Sequence, residues 1–367
     1  MHTKDPKVRA FTLALVAMAL AAMSVMPTAQ AGTTIDTELV KGGLDAPAAF
    51  TFLPSGKIIY LERGTGEVRI INPSTGSDRR FFTINGVDGG GERGALGVAV
   101  HPKWPEEPFV YVYVTRQSQG KLKNQIVRIR SESGHGVAMS VLVSTPASSL
   151  PYHNGGRIEF GPKGRLFAIV GDGHNSSNAQ DRTKNLRGKI LRMRADGGVP
   201  WDNPKVGGKR TLVYAYGIRN SFGFTFDPDT DRLWETENGP TCNDEINLIR
   251  PSRNYGWGPN ESCPNTNQDG PNIQQPKFNY AGTIGITGAV FCDGCGLGFE
   301  GDLFYGACCD GGSLHRAVLN GGRDDIVGTP ISVLDAPGSA IYSMEAAPDG
   351  QIYFSDGSAI YRLVSTT

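Results

Sequence analysis

Apolar residues along this chain fall in short runs bounded by Gly, Pro, Asn and Asp, and helix-period patterning is hard to find. Runs of that kind predict β-strands joined by tight turns. One phrase recurs: an apolar strand, a turn holding Pro and usually Gly, then a second strand. It reads AFTFLPSGKIIYLE, VAVHPKWPEEPFVYVYVT, IEFGPKGRLFAIVGD, FTFDPDTDRLWETE and MEAAPDGQIYFSD, with turn prolines Pro54, Pro102, Pro162, Pro228 and Pro348. The last interval is about twice the usual one, which predicts a degenerate copy near residue 300, at FEGDLFYGACC. Six copies over residues 32–367 give about 56 residues each, a period that predicts a six-bladed β-propeller. The expected architecture is all-β, with four-stranded antiparallel blades around a central channel. A pair of β-sandwiches would not explain the regular spacing of the phrase. In a propeller the ends of the inner strands gather at the mouth of the channel, where pockets form.

Composition adds compartment and class. The 49 glycines are nearly twice the ~7% share of ordinary chains, which suits a fold made of turns. Residues 1–31 read as a secretory signal: Lys4, Lys7 and Arg9, an apolar stretch at 11–26, and AQA at 29–31 with cleavage expected after Ala31. The apolar stretch is shorter than the ~20 residues that span a bilayer. The expectation is a secreted or periplasmic protein with no stable membrane insertion, its single propeller domain at 32–367. A formal net charge of zero leaves no electrostatic footprint for nucleic acid. The six cysteines, at 242, 263, 292, 295, 308 and 309, lie in the last third of the chain. In an exported protein they predict disulfides, with Cys242–Cys263 a plausible bridge and CDGC and CC supplying the others. A thiolate metal site is the sharper but less natural alternative in oxidising surroundings.

The antiparallel hairpin turns pattern into chemistry, because residues equidistant from its turn come together. In the third repeat, His153 and Asp172 are equidistant from the Pro162–Lys163 turn and should meet at one end of the hairpin. A carboxylate beside an imidazole fixes its tautomer and stabilises its protonated form. The flanking NGG and GDG permit close approach of backbone to a ligand. In the fourth repeat the same rule places Arg219 and Asn220 beside Asn238, Gly239 and Pro240. Arg219 offers a planar donor fork. Carbonyls of a Gly-Pro turn suit a hard cation such as Ca²⁺, and Asp244 and Glu245 add oxygen ligands nearby.

The phrases HNGGRIEFGPKGRLFAIVGDG, NLRGKILRMRADGGVPWDNP, YAYGIRNSFGFTFDP and LWETENGPTCNDEINLIRPSRNYGWG together resemble the glucose/sorbosone dehydrogenase family, whose members are exported six-bladed propellers, many using pyrroloquinoline quinone (PQQ) and Ca²⁺. The resemblance covers most of 32–367 and is strongest across 152–258. It implies that His153 is the general base toward a sugar hydroxyl, Asp172 its orienting carboxylate, and Arg219 the donor to the reduced quinone oxygen. It also implies that Asn220 and Asn238 contact the cofactor and that Gly239 and Pro240 hold Ca²⁺ through their carbonyls. Asp244, Glu245 and Tyr255 match positions around additional calcium ions. A sugar substrate and an electron acceptor are the implied partners.

The chain departs from the family pattern on one side. Phe222 stands where a glutamine is usual, Ala340 and Tyr342 where two arginines are usual, and GACCDGGSLHR where a basic residue is usual, with His315 and Arg316 coming later. PQQ carries three carboxylates, and each lost charge-assisted hydrogen bond is worth roughly 1.5–3 kcal/mol. Arg182, Lys184 and Arg323 are the candidate replacements. The same departures suit a non-redox Ca²⁺-binding propeller, either a lactonase-like hydrolase or a carbohydrate-binding protein. A pure scaffold or adhesion protein is a third reading.

Overall fold

The computed structural model describes residues 34–366; the segment read as a secretory signal lies outside the described residues. Six four-stranded antiparallel sheets follow one another around a ring. Their two innermost strands are Pro47–Phe52 and Ile58–Glu62 in blade 1, Ala95–Val100 and Phe109–Ser118 in blade 2, and Ile158–Gly161 and Arg165–Val170 in blade 3. They are Ser221–Phe226 and Leu233–Glu237 in blade 4, Ile286–Phe291 and Leu303–Ala307 in blade 5, and Ser343–Ala346 and Ile352–Ser355 in blade 6. The five turn prolines all sit between these two strands. The degenerate copy is blade 5, where FEGDLFYGACC supplies the second strand and a glycine-rich loop with a Cys292–Cys295 bridge replaces the proline turn. Blade 6 is closed by Thr34–Gly42, which pairs with Ala359–Thr366 from the other end of the chain. That pairing puts strands from both ends of the described residues into one sheet and so closes the ring.

Strand alternation explains why six blades hold together. In Arg165–Val170, Leu166, Ala168 and Val170 pack with Tyr111 and Tyr113 of blade 2, while Phe167 and Ile169 pack with Phe224 and Leu233 of blade 4. In Leu303–Ala307, Leu303 and Tyr305 face Trp234 of blade 4 and Phe304 faces Phe354 of blade 6. Each sheet is thus apolar on both faces and depends on both neighbours. Near the axis the inner strands come too close for a Cβ. One built on Gly97 would lie 2.1 Å from the Gly156 carbonyl oxygen, and one on Gly223 would lie 1.9 Å from that of Thr287. Register shifts at Ala95/Gly97 and Ser221/Gly223 bend the strands at these points.

Arg157 crosses the channel from blade 3 to the opposite blade 6. Its guanidinium donates to Ser343 Oγ at 3.1 Å and Glu345 Oε1 at 2.5 Å, with Glu159 Oε2 at 3.8 Å. Burial outweighs the attraction of Arg157 and pushes the Glu159 carboxyl up to about 8.

Removing Arg157 while leaving both carboxylates buried should cost about 3–5 kcal/mol, read by urea unfolding of Arg157→Leu. An ordinary glutamate titrates near 4.5, so between 4.5 and about 8 the native state holds a proton on Glu159 that the unfolded chain has released. Its contribution to stability therefore falls as pH rises through that window, and in Arg157→Leu, which lacks the cation that pulls the Glu159 pKa down, the fall continues to higher pH. An identical pH dependence in the two proteins would contradict this account.

Candidate functional site

Because each hairpin turn lies at one end of its blade, the residues just before the first strand and just after the second lie together at the other end. They enclose a cavity of about 710 Å³ at the mouth of the channel. Blade 3 contributes His153, Gly155, Arg157 and His174; blade 4 contributes Arg219, Asn220, Phe222, Asn238 and Gly239.

His153 and Asp172 meet there. The imidazole Nδ1 lies 2.8 Å from Asp172 Oδ1, and the Trp257 indole Nε1 donates to Asp172 Oδ2 at 2.8 Å. The His174 amide donates to Oδ1 at 2.7 Å. An ionised carboxylate only accepts, so Nδ1 carries the proton and Nε2 is the free lone pair. Among the described residues Nε2 makes no hydrogen bond. The turn centres on Lys163, in the left-handed region, half a residue beyond the position expected from the sequence. The backbone of His153 consequently pairs with Gly173, whose amide donates to the His153 carbonyl at 3.1 Å. His153 itself takes φ +59°, and its amide donates to Glu92 Oε2 at 2.7 Å.

Arg219 lies across from this group. Its Nη1 donates to the Asn238 carbonyl at 2.9 Å, its guanidinium stacks on Trp257 at 5.4 Å, and its buried Nε has no partner among the described residues. Burial lowers its pKa against the opposing pull of Asp172 and Glu237, yet a guanidinium stays charged. Asn220 is a bracket: its Oδ1 accepts from the Gly155 amide at 3.1 Å and its Nδ2 donates to Glu92 Oε2 at 3.0 Å. Trp257, Glu92 and the backbone of Arg219, which accepts from the Asp172 amide at 2.8 Å, therefore tie both halves of the cavity together.

The remaining expected residues divide. Gly239 lines the cavity, and with Pro240, Glu237, Glu245, Asn243 and Asn267 it also lines a second void of about 10 Å³ behind it, near the size of one water or ion. Asp244 braces this turn: Oδ1 accepts from the Gly239 amide, and Oδ2 from the amides of Ile284 and Gly285. Glu245 Oε1 accepts from Asn267 Nδ2 at 2.7 Å. Glu235, Glu237 and Glu245 form a buried carboxylate group in blade 4; burial pushes Glu235 up to about 7 and Glu245 up to about 8, and holds Glu237 well above the usual carboxylate range. Glu235 Oε1, Glu237 Oε2 and Asn247 Oδ1 are buried without partners among the described residues. Tyr255 is otherwise engaged, its hydroxyl donating to the Leu248 carbonyl and accepting from the Arg250 amide.

On the departing side, blades 5 and 6 present Thr283, Cys308, Cys309 and Tyr342 to the cavity, and no cation among the described residues. None of the candidate replacements lines it. Arg182 stacks on Tyr216, Lys184 is exposed, and Arg323 pairs with Asp227 at 2.6 Å. His315 stacks on Tyr305, and Arg316 pairs with Asp302 at 2.7 Å. The cavity's other guanidiniums, Arg63 and Arg157, were missed by the sequence reading. Applying the hairpin-end rule to blade 1 would have found Arg63, which follows Ile58–Glu62 and donates to the carbonyls of Gly89 and Arg93, each at 3.2 Å. Cys242 and Cys263 are bonded as expected. CDGC closes on itself, so CC is left as two free thiols and no bridge joins the two motifs. Among the described residues, the one trio of metal-ligating side chains close enough to share an ion is Cys292, Cys295 and Glu300, whose sulfurs are already joined.

The chain matches the glucose/sorbosone dehydrogenase family over residues 44–363. It is 31% identical over 251 residues to quinoprotein glucose dehydrogenase B of Acinetobacter calcoaceticus, covering 60% of this chain and 52% of that protein, about half its length. It is 28% identical over 345 residues to an aldose sugar dehydrogenase of Escherichia coli K12, covering 88% of this chain and 90% of that one. Among solved structures, the PQQ-bound aldose sugar dehydrogenase of Streptomyces coelicolor superposes with a TM-score of 0.78 at 27% identity, over 92% of this chain and 99% of that chain. A putative oxidoreductase (glucose dehydrogenase) of Thermus thermophilus gives a TM-score of 0.79 at 33% identity, over 91% and 100%. Six repeats, a shared cavity end and this match lead to one conclusion: the chain belongs to the Glucose / Sorbosone dehydrogenase family.

Proposed function

We propose that the protein is an exported oxidoreductase of the sugar-dehydrogenase type, in which His153 removes the proton of a sugar hydroxyl. The observation that carries this reading is the Nε2 of His153, which has no hydrogen-bond partner among the described residues, on a ring oriented by Asp172 and, through it, Trp257, at a cavity that Arg219 also lines. Asp172 keeps the proton on Nδ1 and stabilises the imidazolium formed when Nε2 accepts the substrate proton. Arg219 offers its donors to the oxygen on which negative charge develops. Export is supported by the signal pattern at 1–31 and by two disulfides, which persist in oxidising compartments. No described helix is long and apolar enough to cross a membrane.

PQQ, when bound, supplies the hydride acceptor. The residues fit its two ends unequally. Arg219 and Phe222, which both line the cavity, are a guanidinium and an aromatic ring of the kinds that suit a planar quinone. Its carboxylates would find no cation on the wall of Cys308, Cys309 and Tyr342; Arg63, which donates to backbone carbonyls and to no carboxylate, is a guanidinium elsewhere in the lining that could hold one. That wall favours a second reading, a non-redox Ca²⁺ propeller that binds carbohydrate or hydrolyses a lactone. PQQ affinity separates the two: binding tighter than micromolar supports the redox reading. Calcium fits better. Gly239, Pro240, Glu237 and Glu245 line the small void and would supply oxygens to a hard cation, Asp244 fixes the turn, one oxygen of Glu237 is unpartnered, and Arg219 lines the void as well.

With PQQ and Ca²⁺ added, dye reduction should be seen with one or more aldoses, and His153→Ala should lower turnover by about 100- to 10,000-fold without altering the circular dichroism spectrum. Wild-type turnover retained in that variant removes His153 as the base. Tyr342→Arg should tighten PQQ binding roughly tenfold or more, the effect of restoring one charge-assisted bond; unchanged affinity means the neutral wall does not limit binding. Ca²⁺ at a hundredfold its Kd should stabilise the fold by about 2.7 kcal/mol, seen as a calorimetric shift that chelator reverses and Glu245→Gln diminishes. A melting temperature indifferent to calcium and chelator rejects the site.

A further inference from the structure

Cys308 and Cys309 are absent from the chemistry above, yet both line the cavity. They follow Leu303–Ala307 in blade 5 as Asp172 follows the equivalent strand in blade 3, so the hairpin-end rule delivers two adjacent thiols to the wall. Their Sγ atoms are 2.9 Å apart. The loop is fixed: the Cys308 amide donates to the Gly285 carbonyl at 2.9 Å and the Cys309 amide to the Ile284 carbonyl at 3.1 Å. Gly285, at φ +72°, makes room for both sulfurs. A Cβ there would lie 2.6 Å from Cys309 Sγ and 2.9 Å from Cys308 Sγ. The other four cysteines are joined in two bridges and the chain has six in all, so each of these thiols has only the other as a partner.

We propose that Cys308 and Cys309 are a reversible vicinal dithiol–disulfide pair in the cavity wall, closed by thiol–disulfide exchange with a small disulfide that enters the cavity. Cys309 is exposed and Cys308 half-buried, which sets the order. The Cys309 thiolate attacks one sulfur of the small disulfide, forming a mixed disulfide and releasing one small thiol. Cys308 then attacks Cys309 Sγ, forming the Cys308–Cys309 bond and releasing the second small thiol. Two electrons pass from the pair to the small disulfide, and the two cysteine protons end on the two small thiols. Adjacent Cα atoms lie about 3.8 Å apart, closer than the ~4.4–6.8 Å usual for a bridge, so the vicinal bond reopens more readily than an ordinary disulfide. The exchange requires only the two thiols and the small disulfide, whether or not the cavity oxidises a sugar.

The test equilibrates the full chain with glutathione and oxidised glutathione at graded ratios, traps free thiols by alkylation, and weighs the fragment containing 308–309. At oxidising ratios that fragment should lose two hydrogens and take no alkyl group. It should reopen at ratios that leave Cys242–Cys263 and Cys292–Cys295 closed. Cys309→Ser, checked for native circular dichroism, should abolish the two-hydrogen loss. Double alkylation at every ratio, arrest as a glutathione adduct, or a disulfide between two copies of the chain overturns the proposal.

Discussion

The buried carboxylate of Asp172 holds the cavity in register. It accepts from the imidazole of His153, the indole of Trp257 and the amide of His174, while its own amide donates to the carbonyl of Arg219. A buried carboxylate is tolerated only when such donors converge on it. Those donors come from blade 3 and from the loop between the third and fourth strands of blade 4, Glu245–Ile249 and Phe278–Asn279, so satisfying one charge sets the orientation of the His153 imidazole and of the aromatic face under Arg219. Glu92 repeats the device from blade 2, accepting from the His153 amide and from Asn220.

The propeller supplies the rest through a simple geometric rule. Positions flanking the inner hairpin of each blade converge on one space, whatever residue occupies them. In blades 3 and 4 those positions carry polar side chains that brace one another. In blades 5 and 6 they carry thiols, a threonine and a tyrosine. The cavity is therefore built in two halves of different chemistry, one of donors and acceptors in fixed positions and one neutral and polarisable. An anionic group on a ligand meets that difference directly, because blades 5 and 6 offer the cavity no cation among the described residues.

Much of this was legible in the residues. Turn prolines reported five blades, and the doubled interval reported the sixth. Hairpin symmetry joined His153 to Asp172 and Arg219 to Asn238 because antiparallel pairing converts sequence distance into contact. What stayed hidden crosses between blades. Trp257 reaches Asp172 over 85 positions, Arg157 reaches Glu345 over 188, and Asn220 reaches Glu92 over 128. Those contacts are set by blade packing, which local periodicity does not encode. The cysteine pairing was partly hidden for the same reason: CDGC lies in the turn at the far end of blade 5, and CC lies at the cavity end, so the two motifs are kept apart by the length of a strand.

The central claim is that Asp172 fixes the His153 tautomer so that Nε2 faces the cavity as a base. Nitrogen-15 NMR of the imidazole in the intact protein measures this directly. In the neutral imidazole the account predicts the proton on Nδ1 and a bare Nε2, with that pattern lost in Asp172→Ala. A proton found on Nε2, or a tautomer unchanged when Asp172 is removed, would contradict it.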